Sequence, residues 1–277
     1  MSSAPAIPMI RLTIDGREVV VPKGTTIYTA AHQAGIEIPT FCYHDRMAPL
    51  GACRVCLVEI EKAPKLAASC SFDAADGMVV HTTSEKARAG QRSILELLLA
   101  NHPLDCPICD KGGECPLQDN TLKFGPGESR FVEVKRTFRK HIRMSSVLVL
   151  DRERCILCWR CVRFGELIAG DDALQGFERG FHDQIATPGM APVQSKFIGN
   201  TMEICPVGAL TSATYRFRSR PWDNTAVKSI CPHCGCGCAT TLNVRGNDLT
   251  RTRSREHPET NDVWLCDKGF FGYDFVV

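Results

Sequence analysis

Residues 10–21 (IRLTIDGREVVV) alternate apolar and polar positions on either side of Asp15-Gly16. The pattern predicts two strands joined by a type I′ turn, which needs φ > 0 at both central residues, and Asp-Gly meets that need. Thr25 or Thr26 can then cap a short helix running to about Gly35, whose conformational freedom suits the position just past a helix end. Spacing turns helical at Ala87, Ile94, Leu95, Leu98 and Leu99, behind Thr82-Thr83-Ser84-Glu85, which has the form of a capping box. That helix should stop before Pro103, leaving His102 where a helix gives way to a loop. Gly125-Pro126-Gly127 marks a break, 147–150 reads as a strand, and a further unit is expected to start near Cys231, after Arg220-Pro221-Trp222. No helical or solenoid repeat is present; only groups of cysteines recur.

The longest apolar runs, 94–100 and 147–150, fall well short of the ~18–20 residues that cross a bilayer. Residues 1–9 are uncharged and interrupted by Pro5 and Pro8, so no secretory segment is expected. A chain of 277 residues with 44% hydrophobic content can fill the cores of two or three domains. Its sixteen cysteines stay below the ~8–10% density of disulfide scaffolds, which favours thiols kept reduced in the cytoplasm and available as metal ligands. A net charge of +2 does not point to nucleic acid. The local basic stretch 130–143 (RFVEVKRTFRKHIR) reads as a solvated strand face, with a docking surface as the alternative. Cations there would also favour the reduced, more negative state of a nearby metal cluster.

The cysteines fall into four sets. Cys42, Cys53, Cys56 and Cys70 follow the predicted hairpin and helix with spacing C-x10-C-x2-C-x13-C, a longer-loop relative of the plant-type [2Fe–2S] pattern. His102, Cys106, Cys109 and Cys115 form a second set, where a neutral imidazole in place of one thiolate should raise a cluster's potential. Taken singly, both sets are also compatible with structural zinc. Cys155, Cys158 and Cys161, with the remote Cys205-Pro206, have the spacing of a bacterial-type [4Fe–4S] site, and zinc has no need of such a triplet. The fourth set is Cys231, Cys234, either Cys236 or Cys238, and Cys266, with Gly235 and Gly237 allowing a tight loop. Four clusters need four ligands each, and the sets supply fifteen cysteines plus His102, with one cysteine of the last loop left over. There is no G-x-G-x-x-G turn after a strand and no G-x-x-x-x-G-K-[ST] loop, so nucleotide and flavin are expected on other subunits.

These sets, together with RCILCWRCVRF (154–164), GNTMEICPVGALTS (199–212), RFRSRPW (216–222) and NDVWLCDKGFFGYDF (261–275), resemble the G subunit of bacterial NADH:quinone oxidoreductase, the counterpart of the 75 kDa subunit of complex I. The resemblance runs over nearly the whole chain. It implies an α+β chain of four parts: a β-grasp [2Fe–2S] domain at 1–81, a His/Cys [4Fe–4S] domain at 82–146, a ferredoxin-like [4Fe–4S] domain at 147–223, and at 224–277 the small [4Fe–4S] module that opens a molybdopterin-oxidoreductase-like domain. It also implies one [2Fe–2S] and three [4Fe–4S] clusters, His102 as a true ligand, and Cys238 rather than Cys236 in the fourth set. The function implied is electron transfer from an NADH/flavin subunit through this chain to other iron–sulfur subunits and on to quinone, on the cytoplasmic side of the plasma membrane, without nucleic acid. No bond of a substrate is made or broken in this chain. Two departures stand out: the family's large C-terminal region does not follow Val277, as in a split or shortened subunit, and Phe270 stands where the family pattern has arginine. The alternatives are the iron–sulfur part of an NAD-linked formate dehydrogenase or of a diaphorase-type hydrogenase subunit and, from another class, a zinc-stabilised interaction protein binding RNA through 130–143.

Overall fold

The computed structural model describes residues 7–276; the N-terminal stretch read for a secretory segment lies mostly outside them. The chain forms two units, one comprising residues up to Ala100 with Asp119–Glu133, the other Asn101–Gln118 with the residues from Val134 onward.

In the first unit, β1 (Met9–Ile14) and β2 (Arg17–Pro22) pair antiparallel. Asp15 and Gly16 take φ of 47° and 78° between them, as a type I′ turn requires. Helix α1 (Ile27–Gln33) starts at Thr26, whose hydroxyl accepts the Thr29 N–H at 3.2 Å. It ends where Gly35 turns left-handed at φ 71° and donates its N–H to the His32 carbonyl. Strands β3 (Leu57–Ile60), β4 (Ala67–Ala68) and β5 (Val79–His81) complete a sheet of order β2-β1-β5-β3-β4, in which β1 and β5 run parallel. Leu12, Ile14, Val21, Val58 and Val80 are buried with Ile27, Ala30 and Ala31 of α1, the core of a β-grasp fold.

Helix α2 (Glu85–Asn101) is capped by Ser84, whose hydroxyl accepts the Ala87 N–H at 3.2 Å. No reciprocal capping box forms, because Thr82 is drawn away: its N–H and hydroxyl donate to the Asp15 carboxylate of the hairpin turn. The helix also buries Gln91, whose amide donates to the Leu57 carbonyl at 2.8 Å. The later segment of this unit, which takes in most of α3 (Pro116–Phe124), is tied back to the earlier one. Asn120 donates to the Thr40 carbonyl, Lys123 pairs with Glu37 at 2.7 Å, and Arg130 grips Glu96 with two bonds of 2.7 and 2.6 Å.

The second unit contains β6 (Ile142–Arg143), β7 (Leu148–Leu150), α4 (Arg160–Phe164), β8 (Gln175–Phe177), β9 (Gln184–Ala186), α5 (Gly199–Ile204) and β10 (Leu210–Ser212). Strands β10, β7 and β6 make one sheet; β8 and β9 make a hairpin. Beyond them, β11 (Thr225–Ile230), β12 (Ala239–Arg245) and β13 (Asp248–Ser254) form an antiparallel sheet, followed by α6 (Asp267–Phe271). Its first strand, β11, was not expected from the sequence. The strand was invisible there because every one of its residues but Ser229 is exposed, so it shows no alternation. The stretch 130–143 is not a strand face either: only Ile142–Arg143 pairs. Its charges are bound individually, Lys140 for example to Asp105 and Glu153, which a flat alternating strand could not arrange. No helix among the described residues is long and apolar enough to cross a membrane.

Candidate functional site

All sixteen cysteines are free thiols. In the first unit, the loop after α1 carries Cys42, the approach to β3 carries Cys53 and Cys56, and a single turn after β4 carries Cys70. Cys42, Cys56 and Cys70 are fully buried. The Ser69 hydroxyl and N–H both donate to the Cys56 carbonyl, at 2.8 and 3.0 Å, fixing the Cys70 turn against the Cys56 loop. The thiols lie within hydrogen-bonding reach as Cys42 with Cys53 and Cys70, and Cys56 with Cys70. Donation from Cys53, then Cys70, holds Cys42 far below the usual thiol range, and Cys70 brings Cys56 to about 7. Cys53 and Cys70 are raised as the donors of those bonds. Neighbouring thiol donors of this kind ease deprotonation of Cys42 and Cys56, which suits a site that needs thiolates.

The remaining expected ligands lie in the second unit. His102 follows α2 directly; Cys106 opens an exposed single turn; Cys109 and Cys115 are buried, Cys115 just ahead of α3. Burial, reinforced by the charges of Arg154 and Lys135, lowers His102 to about 4, so the imidazole is neutral and its lone pair is free for a metal. His102 Nδ1 is buried with no hydrogen-bond partner. Burial raises the Cys109 and Cys115 thiols.

In the third set the backbone wraps around its ligands: Leu157 and Trp159, each beside a cysteine, take left-handed φ of 50° and 64°. The Leu157 N–H donates to Cys155 Sγ at 3.4 Å. Cys155, Cys158, Cys161 and Cys205 all line one hollow. Burial pushes the Cys155 thiol up to about 12 and also raises the Cys161 thiol well above its ordinary range. Such thiols are poor free thiolates and gain by bonding to a cationic metal. Trp159 lies so close over Gly176 that a Cβ there would come within 2.1 Å of its ring, which fixes the triplet from outside.

In the fourth set, Cys231 at the end of β11 donates its N–H to the Cys238 carbonyl at 2.8 Å, closing the loop that also holds Cys234 and Cys236. Cys266 leads into α6. Cys234 and Cys236 are exposed, and the backbone and then the thiol of Cys236 lower Cys234. Cys238 is raised first by burial and then by the charges of Cys231, Cys236, Cys234 and Cys266. Phe270 is wholly buried and packs against Gly199, where a Cβ would meet its ring at 2.6 Å; it serves as core.

Within this unit the ligand loops interlock. Cys115 Sγ donates to the carbonyl of Pro206, next to Cys205, at 3.7 Å. A Cβ on Gly208 would stand 2.1 Å from Cys109 Sγ. Asp105, just before Cys106, pairs with Arg154, just before Cys155, at 2.9 Å. The segment 216–222 clamps the second set: Arg220 donates to the carbonyls of Cys109 (2.6 Å) and Pro107, and the Phe217 N–H donates to Asp110 at 2.8 Å. A charge network joins in the fourth part: Arg251 of β13 pairs with Glu114 at 2.8 Å, and Arg253 bridges Glu114 at 3.2 Å and Glu203 at 2.6 Å. From the sequence, Arg154, Gly208 and Arg220 figure only within the segments that carry the resemblance, and no role falls to any of them or to Glu114, which sits one residue before the expected ligand Cys115. Among the described residues, no three His, Cys, Asp or Glu side chains converge on the point that a single metal ion would occupy.

Comparison with known proteins agrees with this layout. Residues 8–85 match a 2Fe-2S iron-sulfur cluster binding domain, 91–130 the NADH-ubiquinone oxidoreductase-G iron-sulfur binding region, 145–211 the ferredoxin-like domain of NADH-quinone oxidoreductase subunit 3, and 224–277 the molybdopterin oxidoreductase Fe4S4 domain. The fold is therefore α+β, and the chain carries cluster-binding domains of both the 2Fe-2S and the 4Fe-4S type. The NADH-quinone oxidoreductase G subunit of Streptomyces coelicolor is 51% identical over 99% of this chain and 33% of its own length. Its counterpart in Thermus thermophilus, NADH-quinone oxidoreductase subunit 3, is 42% identical over 97% of this chain and 38% of its own length. A chain of the NAD+-reducing [NiFe]-hydrogenase in the H2-reduced state superposes with a TM-score of 0.69 at 32% identity, covering 76% of this chain and 90% of that one. The chain spans about a third of the length of the curated relatives it matches. On the agreement of these matches with the four cysteine sets, it belongs to the family of the iron–sulfur G subunit of NADH-quinone oxidoreductase.

Proposed function

We propose that this chain is an electron-transfer subunit of an NADH:quinone oxidoreductase, and that its four parts (1–81, 82–146, 147–223 and 224–277) each hold one cluster. The ligands are Cys42, Cys53, Cys56 and Cys70 for [2Fe–2S]; and, for three [4Fe–4S] clusters, His102, Cys106, Cys109 and Cys115; Cys155, Cys158, Cys161 and Cys205; and Cys231, Cys234, Cys238 and Cys266. When bound, such clusters take up and release single electrons. The observation that carries the reading is the interlock of the second and third ligand loops, which brings Cys109 and Cys115 against the Cys205–Gly208 turn. Two centres held that closely, in a largely buried setting, form a step in an electron path rather than two independent structural metals. The chain's own residues contribute spacing and tuning: His102 presents a neutral ligand, while Lys135, Lys140 and Arg154 lie near enough for their charges to reach it.

By this reading electrons come from a subunit that binds NADH and flavin and leave through other iron–sulfur subunits toward quinone. The complex sits on the cytoplasmic side of the plasma membrane, and this chain reaches the membrane only through its partners. A hydrogenase-linked role is the second reading, favoured by the likeness to the NAD+-reducing [NiFe]-hydrogenase chain. Co-purification from native membranes separates the two: quinone-linked subunits support the first, a nickel–iron subunit the second.

The full chain purified without oxygen should contain iron and acid-labile sulfide in equal amounts, and after reduction it should give several distinct EPR signals. His102→Ala should remove or reshape one [4Fe–4S] signal. Zinc without sulfide would end the cluster reading, and spectra indifferent to His102→Ala would remove that ligand from it. Cys236→Ser should leave the iron content unchanged, whereas Cys238→Ser should lose the fourth cluster. The opposite result would exchange the two residues.

A further inference from the structure

Arg154 heads the fully buried side chains by volume, and ligand spacing alone gives it no role. It ends the single turn before Cys155. Two of its three nitrogens face carboxylates: Nε and Nη2 bond Asp105 Oδ2 at 3.1 and 2.9 Å, and Nε also lies 3.3 Å from Asp151 Oδ2. The third, Nη1, is buried and has no hydrogen-bond partner. A guanidinium arm withdrawn from water and left without an acceptor is costly, and native structures seldom keep one without a reason.

The surroundings supply one. The Arg154 Cδ and Cys109 Sγ both lie within 4 Å of the point where a Cβ of Gly208 would sit. We propose that Arg154 is a positioning and redox-tuning residue of the second set: Asp105 Oδ2 accepts from two of its nitrogens, with Asp151 as a nearby counter-charge, and the third offers its N–H to the sulfur of the cluster held by His102, Cys106, Cys109 and Cys115. This rests on the reading that the second set holds a [4Fe–4S] cluster. One electron arrives from the reductant, no bond breaks, and Arg154 keeps its proton throughout. A fixed cation and an N–H donor both favour the more negative, reduced state, so the residue raises the potential. The same side chain, through Asp105, ties the second ligand loop to the third.

The test is an EPR-monitored redox titration of the full chain carrying its clusters, with His102→Ala used to identify the second-set signal. Arg154→Lys keeps a positive charge for Asp105 and Asp151 but lacks the planar fork, and should lower the midpoint modestly at full signal intensity. Arg154→Gln combined with Asp151→Asn removes the cation without leaving an unpaired carboxylate. It should raise the oxidised-to-reduced ratio about tenfold at the wild-type midpoint, which is about 59 mV for one electron. Unchanged midpoints in both variants at full intensity would overturn the proposal. So would loss of the second-set signal from both with the third set intact, since Arg154 would then be a structural clamp only. If His102→Ala leaves every signal untouched, the cluster assignment fails instead, a result distinct from an unmoved midpoint.

Discussion

Gly208→Ala is expected to strip the chain of its second-set cluster while the [2Fe–2S] centre survives. The added methyl would stand 2.1 Å from Cys109 Sγ, 3.4 Å from Lys111 Cβ and 3.6 Å from Arg154 Cδ. Overpacking of this kind costs ~1–3 kcal/mol where the neighbours can yield. Here the nearest neighbour is a ligand sulfur, and a displacement of about 1 Å is enough to spoil a site that depends on held geometry. Iron and sulfide should fall by one cluster's worth, and the signal sensitive to His102→Ala should disappear. Gly127→Ala is the control, because nothing lies within 4 Å of its added Cβ. Full iron with an unshifted second-set signal in Gly208→Ala would show that the loops are not packed as described.

Removing Glu114 should markedly destabilise the second unit. Its carboxylate takes two bonds from Arg251, at 2.8 and 2.9 Å, and one from Arg253, and the three side chains are mostly buried, at 18%, 15% and 34% exposure. Breaking a fully buried pair costs ~3–5 kcal/mol because the partner charge is left stranded. With this degree of exposure, Glu114→Ala should cost about 2–4 kcal/mol. Urea unfolding of the second unit should show it, and proteolysis should reach the β11–β13 sheet earlier. An effect below about 0.5 kcal/mol would place Glu114 among ordinary surface positions. Burial alone would raise the Glu114 pKa, but bonding from Arg251 and the charges of both arginines outweigh it and hold it low. The stability is therefore complete above the ordinary carboxylate range and is lost as pH falls through the depressed value.

What could be read from the sequence was local. Asp15-Gly16, Thr26 and Gly35 each act within a few residues, so pattern and turn chemistry located the hairpin and the first helix directly. The C-x2-C-x2-C triplet was legible for the same reason: three residues beside one another in sequence share one hollow. Reading failed where a distant partner decides. Thr82 looked like a helix cap until Asp15, 67 residues earlier, took its hydroxyl. The basic run 130–143 looked like a face until Asp105 and Glu153 each claimed Lys140. Arg154 was one arginine among many, because Asp105 and the Gly208 turn become its neighbours only in the folded chain.

The path of the chain also sets the order in which its parts can be completed during synthesis. The first unit is closed by residues 119–133, with Lys123 on Glu37, Arg130 on Glu96, and Asn120 on Thr40, two residues before Cys42. A ribosome that has released only the first hundred residues has therefore delivered an unfinished [2Fe–2S] unit. The His102–Cys115 loop must emerge before that unit can close, so a nascent chain arrested before it lacks the contacts that tie Thr40, Glu37 and Glu96 in the finished protein.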